Sequence, residues 1–186
     1  MGKIHFIQRG YVMTRENGVV YREDLPVQQE IPEGYLLLRI MGASICGTEY
    51  GIMKGKKDPW TLENVFPHMD DNSPLVFGHE FYGEVVRTSQ YPKVALGSIG
   101  TSESHYPSPE SVSNGIDGHT CPDYGIFGIW GHRQKDGKRA PVLGGGYAEY
   151  IMIPESNFYD VGSLYKNFHC SLIEPCGNAW MIMEDL

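Results

Sequence analysis

The sequence has no long hydrophobic run, no dense basic cluster and no secretion signal, and each absence excludes a class of protein. No segment approaches the ~20 consecutive apolar residues of a membrane-spanning helix, and residues 1–10 contain neither an apolar core nor a small-residue cleavage site. Lys and Arg number 15 against 23 Asp and Glu, which gives a formal net charge of −8. Because nucleic acid and anionic membranes attract clustered cations, we expect neither as a partner. Because the sequence shows neither a secretion signal nor a membrane-spanning run, we expect a cytoplasmic location.

Cysteine is scarce, and its four copies are scattered along the chain. No two of them form a Cys-x-x-Cys pair, so the spacing predicts no disulfide framework. The sequence also lacks a Gly-x-Gly-x-x-Gly turn, and the glycines at 144–146 come before a predicted strand rather than after one. A dinucleotide-binding unit is therefore not predicted within these residues.

Glycine, proline and tyrosine are abundant, with 23, 12 and 12 copies. With 41% hydrophobic and 20% charged residues, the composition is typical of a globular domain of short strands joined by turns. The pattern predicts strands over 3–8, 18–22, 34–40, the second half of 78–86, and 146–154. It predicts a surface loop over 54–73 and an irregular lobe over 97–145.

The pattern becomes helical over 171–186. Apolar residues recur there at helical spacing: Ala179, Trp180, Ile182, Met183 and Leu186. Pro175 lies near the start of the predicted helix, where proline is tolerated. The pattern reaches the last residue without a glycine cap, so we expect the helix to lead towards a further domain. Its apolar side chains, from Trp180 to Met183, should need a partner.

Four residues carry side chains that bind zinc: Cys46, His79, Glu80 and Glu174. Three protein ligands and one open position make a catalytic zinc site, because a substrate hydroxyl in the open position becomes more acidic. Spacing alone does not select these four residues from the other Cys, His and Glu residues of the chain. Their local contexts do.

These contexts resemble the zinc-dependent medium-chain dehydrogenase/reductase family of alcohol, polyol, threonine and sugar dehydrogenases. Cys46-Gly47-Thr48-Glu49 resembles one signature, and Gly78-His79-Glu80-x-x-Gly83-x-Val85 resembles a second. The segment 145–150 resembles a third landmark, and Leu172-Ile173-Glu174-Pro175 resembles the Glu-Pro segment of the polyol, threonine and sugar branch. The four landmarks occur in the family's order.

The resemblance implies a mainly β (α+β) fold: a GroES-like, partly open β-barrel with an irregular lobe and a C-terminal linking helix. A zinc-binding catalytic domain would cover 1–170, with the lobe at 97–145. Residues 171–186 would begin the helix that connects to a nucleotide-binding Rossmann domain, which we expect to be absent here. NAD or NADP is therefore expected only with that missing domain or a partner subunit. We expect this chain alone to be inactive. A homo-oligomer is compatible with the resemblance.

The resemblance also implies a ligand set for one catalytic zinc ion. Cys46 and His79 would be the fixed ligands. Glu80 would bind or leave the metal as substrate and water exchange. Glu174 would lie beside or on the zinc, with Cys176 as the weaker alternative.

Two further roles follow from the same resemblance. Thr48 would begin removal of the substrate proton, and Glu49 would orient the ligand histidine. The alternative for both is ordinary hydrogen bonding within the loop. Family members often carry a structural zinc on four cysteines of the lobe, but this lobe holds only Cys121, so no structural zinc is expected. The lobe histidines, His105, His119 and His132, are expected to be surface or packing residues.

The function that the resemblance implies is oxidation of a secondary alcohol, polyol or sugar by zinc-assisted hydride transfer to NAD(P). One alternative is a stand-alone GroES-like module that binds a metal or ligand without turnover, which the missing cofactor domain favours. The other is a metal-free reductase relative. The presence of Cys46, His79 and Glu80 together argues against that last reading.

Overall fold

The computed structural model describes residues 7–14, 18–54, 75–116, 118, 120–162 and 168–184. Its strands are β1 (Ile7–Thr14), β2 (Gly18–Pro26), β3 (Tyr35–Ala43), β4 (Leu75–Val76), β5 (Phe81–Thr88), β6 (Ile99–Ser102), β7 (His105–Tyr106), β8 (Gly125–Ile126), β9 (Tyr150–Pro154) and β10 (Phe158–Asp160). Its α-helices are α1 (Gly47–Met53), α2 (Pro109–Ser113) and α3 (Ile173–Glu184), and 3-10 turns cover Glu155–Asn157 and Phe168–Leu172.

The strands form antiparallel sheets, two of which meet along a seam between β1 and residues 147–149. The main sheet has the order β10-β6-β5-β3-β9, a second has the order β2-β1-β4, and β7 pairs with β8. At the seam, Tyr11 N–H donates to Tyr147 O at 2.8 Å, and Gly10 pairs with Ala148. A Cβ at Gly10 would lie 2.8 Å from Tyr147 O, so the close approach of β1 requires glycine. The mainly β architecture predicted from the sequence is confirmed.

The main core lies against the central strands of the five-stranded sheet. Alternate residues of β3, β5 and β9 supply it: Leu36, Leu38, Phe81, Val85, Ile151 and Ile153. The lobe closes it with Tyr106 and Phe127, whose ring centroids are 4.7 Å apart. Each such side chain contributes about 1.5–3 kcal/mol through burial. The core therefore fixes the pairing of β3 with β5, and the ends of these two strands carry the candidate site.

The strand predictions find the elements but misplace several ends. β1 continues to Thr14, well past the predicted end at 8, because its pairing with β2 runs up to the turn, where Thr14 faces Gly18. The strand predicted over 146–154 begins only at Tyr150. Residues 1–6 and 55–74, which hold most of the predicted 3–8 strand and nearly all of the predicted 54–73 loop, lie outside the described residues.

Part of the predicted lobe belongs to the main sheet. Ile99–Ser102 forms β6, which pairs with β5 on one side and β10 on the other. A Cβ at Gly100 would lie 2.4 Å from the Phe158 ring, and the Thr101 hydroxyl donates to Phe81 O at 2.8 Å. Small residues thus let this strand enter a crowded position, which hydrophobic periodicity does not reveal.

The helix predicted over 171–186 is present as α3. Trp180 and Met183 are each 61% exposed, so the described residues do not cover their apolar surface. No helix in the described ranges combines the length and the apolar character that crossing a bilayer requires. The side chains of Met181 and Ile182, and all of Leu186, lie outside the description.

Candidate metal centre

Strand pairing brings two of the predicted zinc-binding segments together. The antiparallel pairing of β3 with β5 continues to the end of β3, and Ser44 N–H then donates to Glu80 O at 2.9 Å. Cys46 follows as the residue that caps the N-terminus of α1. One ligand atom from each of Cys46, His79 and Glu80 lies within 4.8 Å of the other two.

This donor set fits zinc. Thiolate, imidazole and carboxylate are all zinc ligands, and a set of three leaves a position open. His79 and Glu80 are buried while Cys46 is only partly buried, so the group is accessible from the cysteine side. The residues present would therefore hold the ion that the sequence predicts. That Cys46, His79 and Glu80 are the ligands stays a proposal.

The Cys46 thiol lies in a mixed environment. Burial raises its pKa first of all, and a hydrogen bond to the Glu80 carboxylate raises it further. Hydrogen bonds from the backbone N–H and the hydroxyl of Thr48 oppose this rise by favouring the thiolate. A cation bound beside the sulfur would favour the thiolate further.

A fully buried carboxylate supports both ligand segments from behind. Glu49, in the first turn of α1, has no exposed surface. Its Oε2 accepts from Cys46 N–H at 2.9 Å, and its Oε1 accepts from His79 N–H at 3.1 Å. Oε1 also lies 2.9 Å from His79 Nδ1. The carboxylate therefore faces the imidazole nitrogen on one side and leaves Nε2 as the nitrogen that a metal could take.

Glu49 and His79 shift each other's protonation. Burial raises the pKa of Glu49, but its contacts with His79, Cys46 N–H and Tyr147 outweigh burial and hold the pKa below its ordinary value. Burial lowers the pKa of His79, but the charge of Glu49, with smaller effects of Glu174 and Glu80, outweighs burial and raises it. Each group of the pair thus favours the charged form of the other.

Tyr147 closes the rear of the site. Its hydroxyl lies 2.7 Å from Ser44 O and 3.1 Å from Glu49 Oε2, and burial raises its pKa well above the ordinary value. Its ring lies over Gly78, where φ is +104° and a Cβ would meet Cδ1 of the ring at 2.8 Å. The sequence patterns did not single out this tyrosine. Its place in the 145–150 landmark is the signal that could have found it.

The remaining predicted residues lie at the rim. Thr48 is exposed and directs its hydroxyl at the Cys46 sulfur. Glu174 lies near enough for its charge to act on His79, yet it is not among the three residues that converge. Its Oε1 instead accepts from Asn178 Nδ2 at 2.8 Å, and Cys176 is exposed.

The lobe residues serve packing where they are described. Cys121 is buried, with its sulfur 3.4 Å from Ser111 Oγ. His105 stacks edge-on against Tyr124, with ring centroids 4.7 Å apart. His132 is partly buried, and burial lowers its pKa. His119 lies outside the described residues, and the expected absence of a structural zinc stays a prediction.

Similar sequences are dehydrogenases. The chain is 28% identical over 160 residues to L-threonine 3-dehydrogenase of Bacillus velezensis. The aligned stretch covers 84% of this chain and 40% of that enzyme. It is 31% identical over 147 residues to L-threonine 3-dehydrogenase of Symbiobacterium thermophilum, covering 77% of this chain and 36% of that enzyme. The chain thus spans less than half the length of these relatives.

Solved structures share the fold. A Sinorhizobium meliloti 1021 protein, described as a zinc-binding dehydrogenase bound to NADP, superposes with a TM-score of 0.69 at 20% identity, over 97% of this chain and 46% of that chain. Acetophenone reductase from Geotrichum candidum in complex with NAD superposes with a TM-score of 0.65 at 21% identity, over 93% and 45%. At these identities the likeness shows the fold alone.

A family profile, that of the alcohol dehydrogenase GroES-like domain, matches residues 32–163. The matched range includes the three converging residues Cys46, His79 and Glu80, together with Glu49 and Tyr147. It covers well over half of the chain, and so the chain belongs to the alcohol dehydrogenase GroES-like domain family.

Proposed function

We propose that this chain is the zinc-binding, substrate-side part of an NAD(P)-linked oxidoreductase that oxidises a secondary alcohol, polyol or sugar to the carbonyl compound. The convergence of Cys46, His79 and Glu80 within 4.8 Å carries the proposal. It is supported by the family membership and by relatives that are themselves dehydrogenases.

In this proposal, Cys46, His79 and Glu80 hold the zinc ion. When bound, the ion supplies Lewis-acid chemistry that makes a hydroxyl in its open position more acidic. Glu49 holds the His79 ring through Nδ1, so that Nε2 faces the ion. The buried side of the site excludes water, while the exposed side next to Cys46 admits substrate.

We assign the first proton transfer to Thr48. Its hydroxyl is exposed at the rim and touches the Cys46 sulfur, so a substrate oxygen beside that sulfur would lie within its reach. Replacing it with alanine should leave zinc bound and abolish alcohol oxidation in the complete enzyme. Retained turnover would remove this role from Thr48.

We assign Glu174 to the metal at an intermediate step rather than at rest. Its oxygen is engaged by Asn178 Nδ2, yet its charge already acts on His79. Either this carboxylate or that of Glu80 would bind or leave the ion while substrate and water exchange.

The coenzyme site is assigned outside the described residues. The sequence has no Gly-x-Gly-x-x-Gly turn, and the strand pairs in the described ranges are all antiparallel. A Rossmann domain or partner subunit would therefore supply NAD or NADP. The exposed side chains of Trp180 and Met183 on α3 are the apolar surface that such a neighbour would cover.

The substrate class can be tested on this chain alone with cobalt in place of zinc. Cobalt–thiolate absorption reports Cys46, and the cobalt ligand-field bands should shift when an alcohol enters the open position. We expect a shift with L-threonine, 2,3-butanediol or a sugar alcohol. L-threonine comes first, because the relatives act on it.

Two outcomes would count against the proposal. Spectra that no alcohol changes would favour a metal-holding module without dehydrogenase function. A thiolate band that survives in Cys46→Ser but disappears in Cys176→Ser would move the ligand to the exposed cysteine on α3.

A further inference from the structure

Tyr147 places a phenol hydroxyl directly behind the metal centre. The oxygen lies 3.1 Å from Glu49 Oε2 and 2.7 Å from Ser44 O. Glu49 in turn contacts the backbone N–H of Cys46 and both the N–H and the Nδ1 of His79. The hydroxyl is therefore one contact away from two of the proposed ligands.

The backbone around Tyr147 is held on both sides. Its N–H donates to Phe77 O at 2.8 Å, and its carbonyl accepts from Tyr11 N–H at 2.8 Å. The next residue back, Gly146, donates to Gly78 O at 2.7 Å. The ring then packs over Gly78, where there is no room for a side chain. With the backbone and ring fixed, the hydroxyl has little freedom to leave Glu49.

The second partner of the hydroxyl is also anchored. Ser44 lies two residues before Cys46, and its own hydroxyl donates to Ser171 O at 3.0 Å. Its N–H donates to Glu80 O at 2.9 Å. The Ser44 carbonyl is thus part of a loop tied to β5 and to the turn before α3, and Tyr147 joins that loop to the Glu49 carboxylate.

We propose that Tyr147 is a positioning residue: its hydroxyl orients the Glu49 carboxylate, and through it the His79 ring, for metal binding. This inference rests on the proposed function, because it requires a metal at His79. Substitution by phenylalanine keeps the ring packing and removes only the hydroxyl. Among the described residues, Glu49 Oε2 would then keep Cys46 N–H alone, and the carboxylate could rotate away from His79.

The test is the zinc dissociation constant of Tyr147→Phe, measured by competition with a chelator of known affinity. We expect zinc binding to weaken by about tenfold, the lower end of the effect of groups that orient metal ligands. The control is Tyr35→Phe, which removes the hydroxyl of a buried tyrosine at the opposite end of β3. It should bind zinc like the wild type. Circular dichroism would verify that both variants are folded.

A double-mutant cycle separates positioning from general packing. In a Glu49→Ala background, Tyr147→Phe should change the zinc affinity by about twofold or less, because there is no carboxylate left to orient. Equal weakening in both backgrounds would overturn the proposal. So would an unchanged affinity in Tyr147→Phe. Wild-type protein that binds no zinc would overturn this inference and the proposed function together, whereas zinc-binding wild type with an unaffected Tyr147→Phe would overturn this inference only.

Discussion

Two regions of the molecule differ in how far the described residues bury them: the group of Glu49 and Tyr147 behind the candidate ligands, and the outer surface of α3. Behind Cys46 and His79, Glu49 is fully buried and its oxygens contact both ligand segments and Tyr147. On α3, Trp180 and Met183 are exposed, and Glu174 accepts a hydrogen bond from Asn178 on its own helix. The barrel thus holds three possible metal ligands and a buried carboxylate behind them in fixed contacts, while the helix carries exposed apolar side chains.

Glu49 gives the largest expected effect on the covered side. In Glu49→Gln an amide NH2 would face a donor group of Cys46, His79 or Tyr147, so a buried contact becomes repulsive. We expect zinc affinity to fall about 10–100-fold and the free energy of unfolding to fall by about 1–3 kcal/mol. Chelator competition and urea unfolding measure the two effects.

The matched control for this substitution is Glu84→Gln. Glu84 pairs with Arg39 at the surface, where an ion pair is worth about 0–1 kcal/mol. Similar losses in the two variants would show that the buried carboxylate has no special part in the metal site.

Gly78→Ala tests whether the loop before His79 is held by shape. At φ +104° an alanine is strained by about 1–3 kcal/mol, and its Cβ would also press on the Tyr147 ring. We expect a lower melting temperature and weaker zinc binding. The control is Gly177→Ala on α3, where a Cβ meets nothing and a helical alanine should stabilise by about 0.5–1 kcal/mol. Changes of the same sign in both variants would contradict this reasoning.

Glu174→Ala tests the contribution of α3 to the metal centre. Because Glu174 lies outside the group of three converging residues, we expect its loss to weaken zinc binding only a few-fold, about threefold on the scale of a single outlying carboxylate. Isothermal titration with zinc would measure the change. A loss as large as that of His79→Ala would make Glu174 a resting ligand and reverse the assignment.

The smallest effect is expected at Trp180. Its side chain is 61% exposed, so Trp180→Ser should change the free energy of unfolding of this chain by about 0.5 kcal/mol or less. Chemical unfolding followed by circular dichroism would show it. A loss several times larger would mean that the Trp180 side chain already packs against the barrel.

The comparison also shows what the sequence could predict. Cys46, His79 and Glu80 could be proposed as ligands because each belongs to a local pattern that a short stretch of residues displays, and the structure brings the three together. β3 and α3 were found because their periodicity is strong. Tyr147 was missed because its contacts with Glu49 and Ser44 span 98 and 103 positions. Such contacts depend on strand pairing between distant parts of the chain. The 145–150 landmark marks the position of this tyrosine but not its partners.

β6 was missed for a related reason. The residues Ile99-Gly100-Thr101-Ser102 have little hydrophobic alternation, and their strand state depends on pairing with β5 and β10. Glu174 shows the opposite limit: its motif was recognisable, but the motif alone does not say whether the side chain reaches the other ligands.

The measurement that tests the central claim most directly is the zinc content of the chain, purified without added metal and compared with Cys46→Ser. Elemental analysis should find about one zinc ion per wild-type chain, as a single catalytic-type site requires, and almost none in the variant. Zinc retained in full by Cys46→Ser, or absent from the folded wild type after zinc is supplied, would contradict a metal centre built on Cys46, His79 and Glu80.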